Sequence, residues 1–154
     1  MLALKHGDRT ALAKTGGSWM AQVLPQMDPD TVIVPIPLHW RRFLHRRYNQ
    51  AALLANALAQ ETGLTSLPDG LQRITATKPL EGRTVDQRFA DLENTIAVTE
   101  KWREALSHRS ILLVDDVMTS GATFTAATLA LQSLPGVEID VIALARVAKP
   151  GEVS

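Results

Sequence analysis

The sequence predicts an α/β fold, with a mostly parallel twisted sheet flanked by helices. Apolar runs that lack polar alternation occur at residues 32–34 and 111–114, within predicted strands at 31–34 and 110–115, and such runs are typical of strands buried on both faces. Helical patterns alternate with these runs, and alternating strands and helices build a parallel sheet through right-handed crossovers. The 154 residues suffice for one domain with its own core, so we expect a single domain over 1–154.

The first half of the chain is predicted to place one helix before the first strand and one after it. Residues 8–24 form the first helix, although the Gly16-Gly17 pair weakens its middle. Residues 50–61 form the second helix, which Gly63 ends as a C-terminal cap. Helical spacing places the apolar side chains of the first helix on one face: Leu12, Trp19, Met20 and Val23. The same spacing gives the second helix an apolar stripe: Ala51, Leu54, Ala55 and Leu58.

The second half is predicted to contain two short strands, at 71–75 and 95–99. The segment between them, residues 76–94, is predicted to be a flexible loop over a ligand site, with a short helix near 85–93. This segment carries three cations: Lys78, Arg83 and Arg88. The chain is then predicted to end in a strand–helix–strand unit: residues 110–115, 121–134 and 138–145.

The composition is that of an ordinary globular protein with balanced charge. Lys plus Arg and Asp plus Glu number 16 each, so any attraction to nucleic acid would need a local cluster of cations. The absence of cysteine excludes disulfides and thiolate zinc sites. No apolar run reaches the length of a membrane span, and the first residues lack the pattern of a secretory leader. We therefore expect a cytoplasmic protein without a membrane span.

The segment 111–123 is the most informative part of the chain. Its apolar strand runs directly into Asp115 and Asp116, and a short loop that contains Gly121 leads into a predicted helix. Open α/β sheets bind ligands at the carboxyl ends of their parallel strands. The sequence therefore predicts a ligand site here, where the glycine lets the backbone approach the ligand closely.

The chemistry of this predicted site suits a ribose 5-phosphate. Hydroxyl groups and the free N–H groups of a helix start can bind a phosphate, and the hydroxyls come from Thr119, Ser120 and Thr123. Carboxylates would repel the phosphate. Asp115 and Asp116 can instead accept hydrogen bonds from sugar hydroxyls, or hold Mg²⁺ through water rather than directly.

A basic segment follows the first strand and the proline-rich loop at residues 35–38. It contains four arginines: Arg41, Arg42, Arg46 and Arg47. Arginine forks match phosphate oxygens, and aromatic rings among arginines could stack on bases. These rings belong to Trp40, Phe43 and Tyr48. The segment predicts a polyphosphate site or a single-stranded nucleic-acid site, and a solvated basic helix face is the plain alternative.

Two family resemblances follow from these segments. Residues 114–123, reading Val-Asp-Asp-Val-Met-Thr-Ser-Gly-Ala-Thr, resemble the phosphoribosyl pyrophosphate (PRPP) signature of type I phosphoribosyltransferases. Residues 34–39, then 47–50 and 53–55, resemble a pattern of the ComF competence protein family. Residues 4–7 also match that family, and so does the spacing of three later residues: Arg73, Thr77 and Asn94. The resemblance covers nearly the whole chain and implies a type I phosphoribosyltransferase-like fold.

Three features depart from the family pattern. The family commonly carries an N-terminal four-cysteine zinc module, and this chain has no cysteine, so a natural short form and a truncation are the two alternatives. Tyr48 stands where the family has Phe, and Arg47 directly precedes it where Arg-Gly is expected. The flexible-loop residues of the family are not matched cleanly at 80–84.

The resemblance implies a role for each part of the predicted site. Asp115 and Asp116 would be the catalytic pair, which holds the ribose hydroxyls and favours a cationic sugar in the transition state. Mg²⁺ would bridge the pyrophosphate and the ribose, mainly through water. The 5-phosphate would lie on five consecutive residues: Thr119, Ser120, Gly121, Ala122 and Thr123. The pyrophosphate would face the loop after the first strand: Pro35, Ile36, Pro37 and Leu38. Cations of the flexible loop could close over it: Lys78, Arg83 or Arg88.

Three functions stay open on the sequence alone. The chain could be a phosphoribosyltransferase that transfers a phosphoribosyl group and releases pyrophosphate. It could be a non-catalytic protein of the same fold that handles single-stranded DNA in natural competence. It could also be a plain nucleotide-phosphate-binding domain. The expected small-molecule partner is PRPP or another ribose 5-phosphate, and a homodimer is left open.

Overall fold

The computed structural model of the protein describes residues 2–38, 49–74 and 95–147, with side chains from residue 11 onward in the first range. The helices are α1 (Leu2–Val23), α2 (Gln50–Thr62), α3 (Arg103–Leu106, after a 3₁₀ turn at Glu100–Trp102) and α4 (Ala122–Gln132). The strands are β1 (Val32–Pro35), β2 (Thr65–Ser66), β3 (Leu71–Arg73), β4 (Ile96–Val98), β5 (Ser110–Met118) and β6 (Glu138–Arg146). The predicted strands and long helices are therefore found; most ends shift by up to three residues, and α1 begins six residues earlier than predicted.

The main sheet has four strands in the order β2-β1-β5-β6, and all of its pairings are parallel. Its central pair aligns Val32 with Ile111 and Pro35 with Val114. A separate pair, β3 and β4, is antiparallel. The prediction of a mostly parallel sheet flanked by helices is confirmed. The chain leaves β1 toward β2 on one side and leaves β5 toward β6 on the other, so the strand order reverses between β1 and β5.

Helices cover both faces of the central strands, because successive side chains of a strand point to opposite faces. On one face, Val34 and Leu113 pack in a cluster with side chains of α4 and of the β3–β4 pair. On the other face, Ile33 and Leu112 pack in a cluster with side chains of α1 and α2. The four side chains of the predicted stripe on α2 are all buried: Ala51, Leu54, Ala55 and Leu58.

The predicted apolar face of α1 is wrong for three of its four residues. Leu12, Trp19 and Val23 are 70%, 61% and 74% exposed, and of the four only Met20 is buried. The buried face of the helix instead contains the glycine pair. A Cβ on Gly17 would lie 2.7 Å from the Cβ of Ala57, and one on Gly16 would lie 2.6 Å from Leu54 Cδ2. The glycines that weaken the helix in isolation thus allow its backbone to approach α2 closely.

The predicted cap of α2 is also found. Gly63 has φ 75°, and its N–H donates to the Ala59 carbonyl at 2.9 Å. The left-handed conformation is the one that glycine supplies at helix ends. Among the residues that the structure describes, no helix has both the length and the apolar content needed to cross a bilayer. The predicted loop at 76–94 lies outside the described residues.

Candidate functional site

The candidate site lies at the carboxyl end of β1, beside the last residues of β5. Parallel strands present their carboxyl ends at the same edge, and the reversal of strand order between two neighbours opens a crevice there. The Ile36 N–H donates to the Val114 carbonyl at 2.8 Å, which joins the end of β1 to the residue of β5 that precedes the acid pair. We call residues 35–38 the β1 loop and residues 119–121 the β5 loop. The structure therefore brings the predicted pyrophosphate loop next to the predicted acid pair.

The acid pair lies within β5 rather than after it. The predicted strand end at Asp115 is wrong, because the strand continues to Met118. Asp115 Oδ1 accepts the Asp116 N–H at 2.8 Å, and Asp116 Oδ1 accepts the Val117 N–H at 2.9 Å. Both carboxyl groups are half-buried.

The pKa of Asp115 lies well above the ordinary value of an aspartate. The pKa of Asp115 is raised from 3.8 to about 7, mainly by burial and in part by hydrogen bonding and charge repulsion from the Asp116 carboxyl. The backbone N–H of Asp116 and the positive charge of Arg73 act in the opposite direction and lower that pKa. A carboxyl group shifted by burial and by a specific partner, at a strand edge, is typical of functional sites. Ligands that need an ionised Asp115 therefore compete with a proton near neutral pH.

The β5 loop is open and rich in hydrogen-bond donors. Gly121 has φ 78° at the start of α4, and a Cβ placed there would meet nothing within 4 Å. Thr119 and Ser120 are exposed. In the described part of the chain, no hydrogen bond uses the N–H groups of Thr119, Ser120 or Gly121. Unused N–H groups beside a helix N-terminus suit an anion, which is the arrangement that the sequence predicted.

The β1 loop offers far fewer donors. Pro35 and Pro37 have no N–H, and the N–H of Ile36 is already bonded to Val114. Two carbonyls of the loop accept hydrogen bonds from side chains. Asn49 Nδ2 donates to the Ile36 carbonyl at 3.0 Å, and Arg73 Nε donates to the Pro37 carbonyl at 3.1 Å. The Leu38 N–H is the backbone donor of this loop that no hydrogen bond in the described residues uses.

Asn49 and Arg73 were not predicted to take part in the site. Asn49 Oδ1 also accepts the Ala51 N–H at 3.0 Å, so this residue caps α2 and holds the β1 loop. Arg73 Nη1 also donates to Thr95 Oγ1 at 3.3 Å across the β3–β4 pair. Asn49 could have been found from the preference for Asn before a helix. No local pattern predicts the contact of Arg73, because 36 residues separate it from Pro37.

The cationic residues predicted for the site lie outside the described residues. This applies to the flexible-loop cations, Lys78, Arg83 and Arg88. It applies equally to the arginine cluster, Arg41, Arg42, Arg46 and Arg47. Of the predicted site residues, the structure thus describes the acid pair, the β5 loop with the start of α4, and the β1 loop.

Comparisons with known proteins relate the chain to one curated relative and to one fold. No family model matches the sequence. The chain is 32% identical over 121 residues to competence protein F of Haemophilus influenzae, in a match that covers 79% of this chain and 52% of the relative. The chain thus spans about half the length of that curated relative.

Solved structures with the same fold include a PRPP amidotransferase and an adenine phosphoribosyltransferase. Glutamine PRPP amidotransferase from B. subtilis matches with a TM-score of 0.59 and 16% identity, over 88% of this chain and 26% of that chain. Adenine phosphoribosyltransferase from Thermoanaerobacter pseudethanolicus matches with a TM-score of 0.52 and 17% identity, over 88% of this chain and 80% of that chain. At such identities the likeness shows the fold, which is that of type I phosphoribosyltransferases.

Proposed function

The chain belongs to the ComF competence protein family, and from that premise we propose that it binds PRPP, or another ribose 5-phosphate, at the edge between β1 and β5. One observation carries the proposal. The acid pair lies near the end of β5 and the open, donor-rich β5 loop follows that strand, beside the point where the strand order reverses. An anion and a sugar with two hydroxyls meet complementary groups there.

In this proposal the 5-phosphate lies on the β5 loop and the first turn of α4. The unused N–H groups and the positive end of the helix favour a doubly charged phosphate. The open space above Gly121 admits the phosphate oxygens close to the backbone. Five residues would contact the phosphate: Thr119, Ser120, Gly121, Ala122 and Thr123.

Asp115 and Asp116 would bind the ribose. Each carboxyl group has one oxygen bonded to the next backbone N–H, which fixes its orientation relative to the strand. Ionised carboxylates would accept hydrogen bonds from the 2- and 3-hydroxyls and would favour positive charge on the sugar. The half-buried position of both groups strengthens these interactions relative to water.

The residues present fit Mg²⁺ that is held through water. Within the described residues, no group of three or more His, Cys, Asp or Glu side chains could cage a metal ion. Mg²⁺ is usually held by one or two carboxylates together with waters and substrate phosphates, and Asp115 and Asp116 supply that donor set. When bound, the ion would neutralise charge on the pyrophosphate.

Transfer of the phosphoribosyl group is the finer part of the proposal. A nucleophile would form a bond to C1 while the bond from C1 to the pyrophosphate oxygen breaks, and pyrophosphate would leave with that electron pair. The described residues would act by positioning and by electrostatic stabilisation rather than by covalent chemistry. Pyrophosphate release from PRPP in the presence of candidate bases tests this step.

Calorimetry with PRPP, with and without Mg²⁺, tests the proposal as a whole. We expect binding of PRPP that tightens when Mg²⁺ is added, and weaker binding of ribose 5-phosphate alone. Glucose 6-phosphate serves as the control ligand, because it carries the phosphate without the ribose. Absence of PRPP binding at millimolar concentration, or equal binding of glucose 6-phosphate, would contradict the proposal.

A second candidate function is the handling of single-stranded DNA. Two observations favour it: the curated relative is named a competence protein, and the sequence carries four arginines with interleaved aromatic residues after β1. A strand would need a row of phosphate contacts, so its binding should fall steeply with salt. Fluorescence anisotropy with a labelled oligonucleotide should show loss of binding in Arg41→Ala/Arg42→Ala and in Arg46→Ala/Arg47→Ala. Binding that neither double substitution changes would remove this role from the segment.

A further inference from the structure

The β1 loop poses a problem for an anion at this edge. A pyrophosphate needs N–H donors, and exposed carbonyl oxygens repel it. The loop has two prolines and one committed N–H, so its carbonyls outnumber its usable donors. How the carbonyls of Ile36 and Pro37 are turned therefore decides whether the loop attracts or repels a pyrophosphate.

Both carbonyls are occupied by side chains from outside the loop. Asn49 holds the Ile36 carbonyl, and its own position is fixed because it caps α2. Arg73 holds the Pro37 carbonyl through Nε, and its Nη1 is bonded to Thr95. The guanidinium is half-buried, planar and always charged, so it combines a directional donor with a positive charge at this edge.

We infer that Arg73 is a positioning residue for the pyrophosphate end of the ligand. It binds the Pro37 carbonyl, directs that oxygen away from the anion, and leaves the Leu38 N–H as the donor that the loop presents. The inference rests on the proposed function, since it requires a pyrophosphate at this loop. The inference goes beyond the proposed function because it gives the β3–β4 pair a part in selecting PRPP over ribose 5-phosphate.

The role of Arg73 predicts an effect that depends on the ligand. PRPP and ribose 5-phosphate share the sugar and the 5-phosphate, but only PRPP reaches the β1 loop. Loss of the Arg73 contact should therefore weaken PRPP and leave ribose 5-phosphate unchanged. A purely structural role, in which Arg73 only stabilises the fold, would weaken both ligands together or neither.

Calorimetry with both ligands in the presence of Mg²⁺ tests this, in wild type, Arg73→Gln and Arg73→Lys. We expect Arg73→Gln to weaken PRPP about tenfold, since a hydrogen bond from a charged donor is lost, and to change ribose 5-phosphate by less than about twofold. Arg73→Lys keeps the charge but not the fork that joins Pro37 to Thr95. It should therefore recover only part of the loss.

Arg109→Gln is the matched control. Arg109 Nη1 donates to the Asp30 carbonyl at 3.3 Å, so it also ties an arginine to a backbone carbonyl beside β1, but at the opposite end of the strand. This substitution should leave the affinities for both ligands unchanged. If Arg73→Gln does not fold, Thr95→Val removes a partner of the guanidinium instead. It should weaken PRPP about threefold, with ribose 5-phosphate unchanged.

The outcomes separate this inference from the proposed function. Selective loss of PRPP affinity supports it. Equal losses for both ligands, or unchanged affinities in Arg73→Gln, overturn it while the proposed function stands. If wild type binds neither ligand, the proposed function fails and the inference fails with it.

Discussion

The β5 loop and the β1 loop at the candidate site differ in how they are suited to bind an anion. The β5 loop has several unused N–H groups, a glycine at φ 78° and open space above it. Within the described residues, no side chain from another element outside β5 and α4 binds this loop. The β1 loop has two prolines, and its carbonyls are held by Asn49 and Arg73. The first loop is suited to an anion by its own sequence, whereas the second depends on residues brought from elsewhere in the fold.

This difference separates substitutions into two groups. Changes in the β5 loop and acid pair should affect every ribose 5-phosphate ligand, because all such ligands use those groups. Changes to Asn49 or Arg73, whose side chains bind the carbonyls of the β1 loop, should affect only ligands with a pyrophosphate. The following predictions test that separation in order of decreasing effect.

The largest effect is expected from Asp115→Asn/Asp116→Asn. The double substitution removes both charges and weakens the acceptors for the ribose, so affinity for PRPP with Mg²⁺ should fall by about a hundredfold or more. Calorimetry and circular dichroism together measure this, since the fold should persist. Asp140→Asn, at an exposed carboxyl group on β6, is the control and should bind as wild type does. Unchanged affinity in the double variant would contradict the assignment of the acid pair.

Gly121→Ala should weaken ribose 5-phosphate and PRPP by a similar factor of about ten. The methyl group enters the space that the phosphate needs, and φ 78° is unfavourable for alanine by about 1 kcal/mol. Gly63→Ala is a close control, because Gly63 has φ 75° and equally open surroundings but caps α2 away from the site. Both variants should lose similar stability, and only Gly121→Ala should lose affinity. Equal affinities in the two variants would exclude the β5 loop as the phosphate site.

How far the sequence could predict these regions follows from the same comparison. The acid pair, the glycine and the start of α4 lie within the eight residues 115–122, so a local pattern was enough to predict that they are neighbours. The side chains that bind the β1 loop come from farther along the chain: Asn49 is 13 positions from Ile36, and Arg73 is 36 positions from Pro37. Only the folded chain brings these residues together. The exposed side of α1 was missed for a related reason. The spacing of its apolar residues predicted one buried face, but the face that contains Gly17 is the one that packs closely on α2 and is buried.

The acidity of Asp115 predicts opposite pH dependences for binding and for stability. Affinity for PRPP should rise several-fold between pH 6 and pH 8, as Asp115 with a pKa of about 7 loses its proton. The unfolded state ionises this group near its ordinary pKa of 3.8, so its contribution to the stability of the ligand-free protein should fall between pH 4 and pH 7 and stay level above. In Asp115→Asn both dependences should disappear.

The difference between the melting temperatures of Asp115→Asn and wild type should therefore increase from pH 4 to pH 7. At pH 7 this difference should correspond to about 2 kcal/mol in the free energy of unfolding. The value is smaller than the full pKa shift would give, because solvent screens the exposed part of this carboxyl group. Asp140→Asn provides the control at each pH. A constant difference across this range would show that burial does not raise the pKa of Asp115.

The smallest effect on binding is expected at Asn49, whose two functions can be separated. Asn49→Ala removes both the cap of α2 and the donor to the Ile36 carbonyl, so it should cost about 1 kcal/mol of stability and weaken PRPP about threefold. Asn49→Ser keeps an oxygen that can cap the helix, but its side chain is too short to reach Ile36. It should therefore retain most of the stability and still lose the threefold in affinity. Ribose 5-phosphate should bind both variants as it binds wild type, because it does not reach the β1 loop. If its affinity fell in parallel with that of PRPP, Asn49 would act through the fold as a whole, and the separation between the two loops would fail.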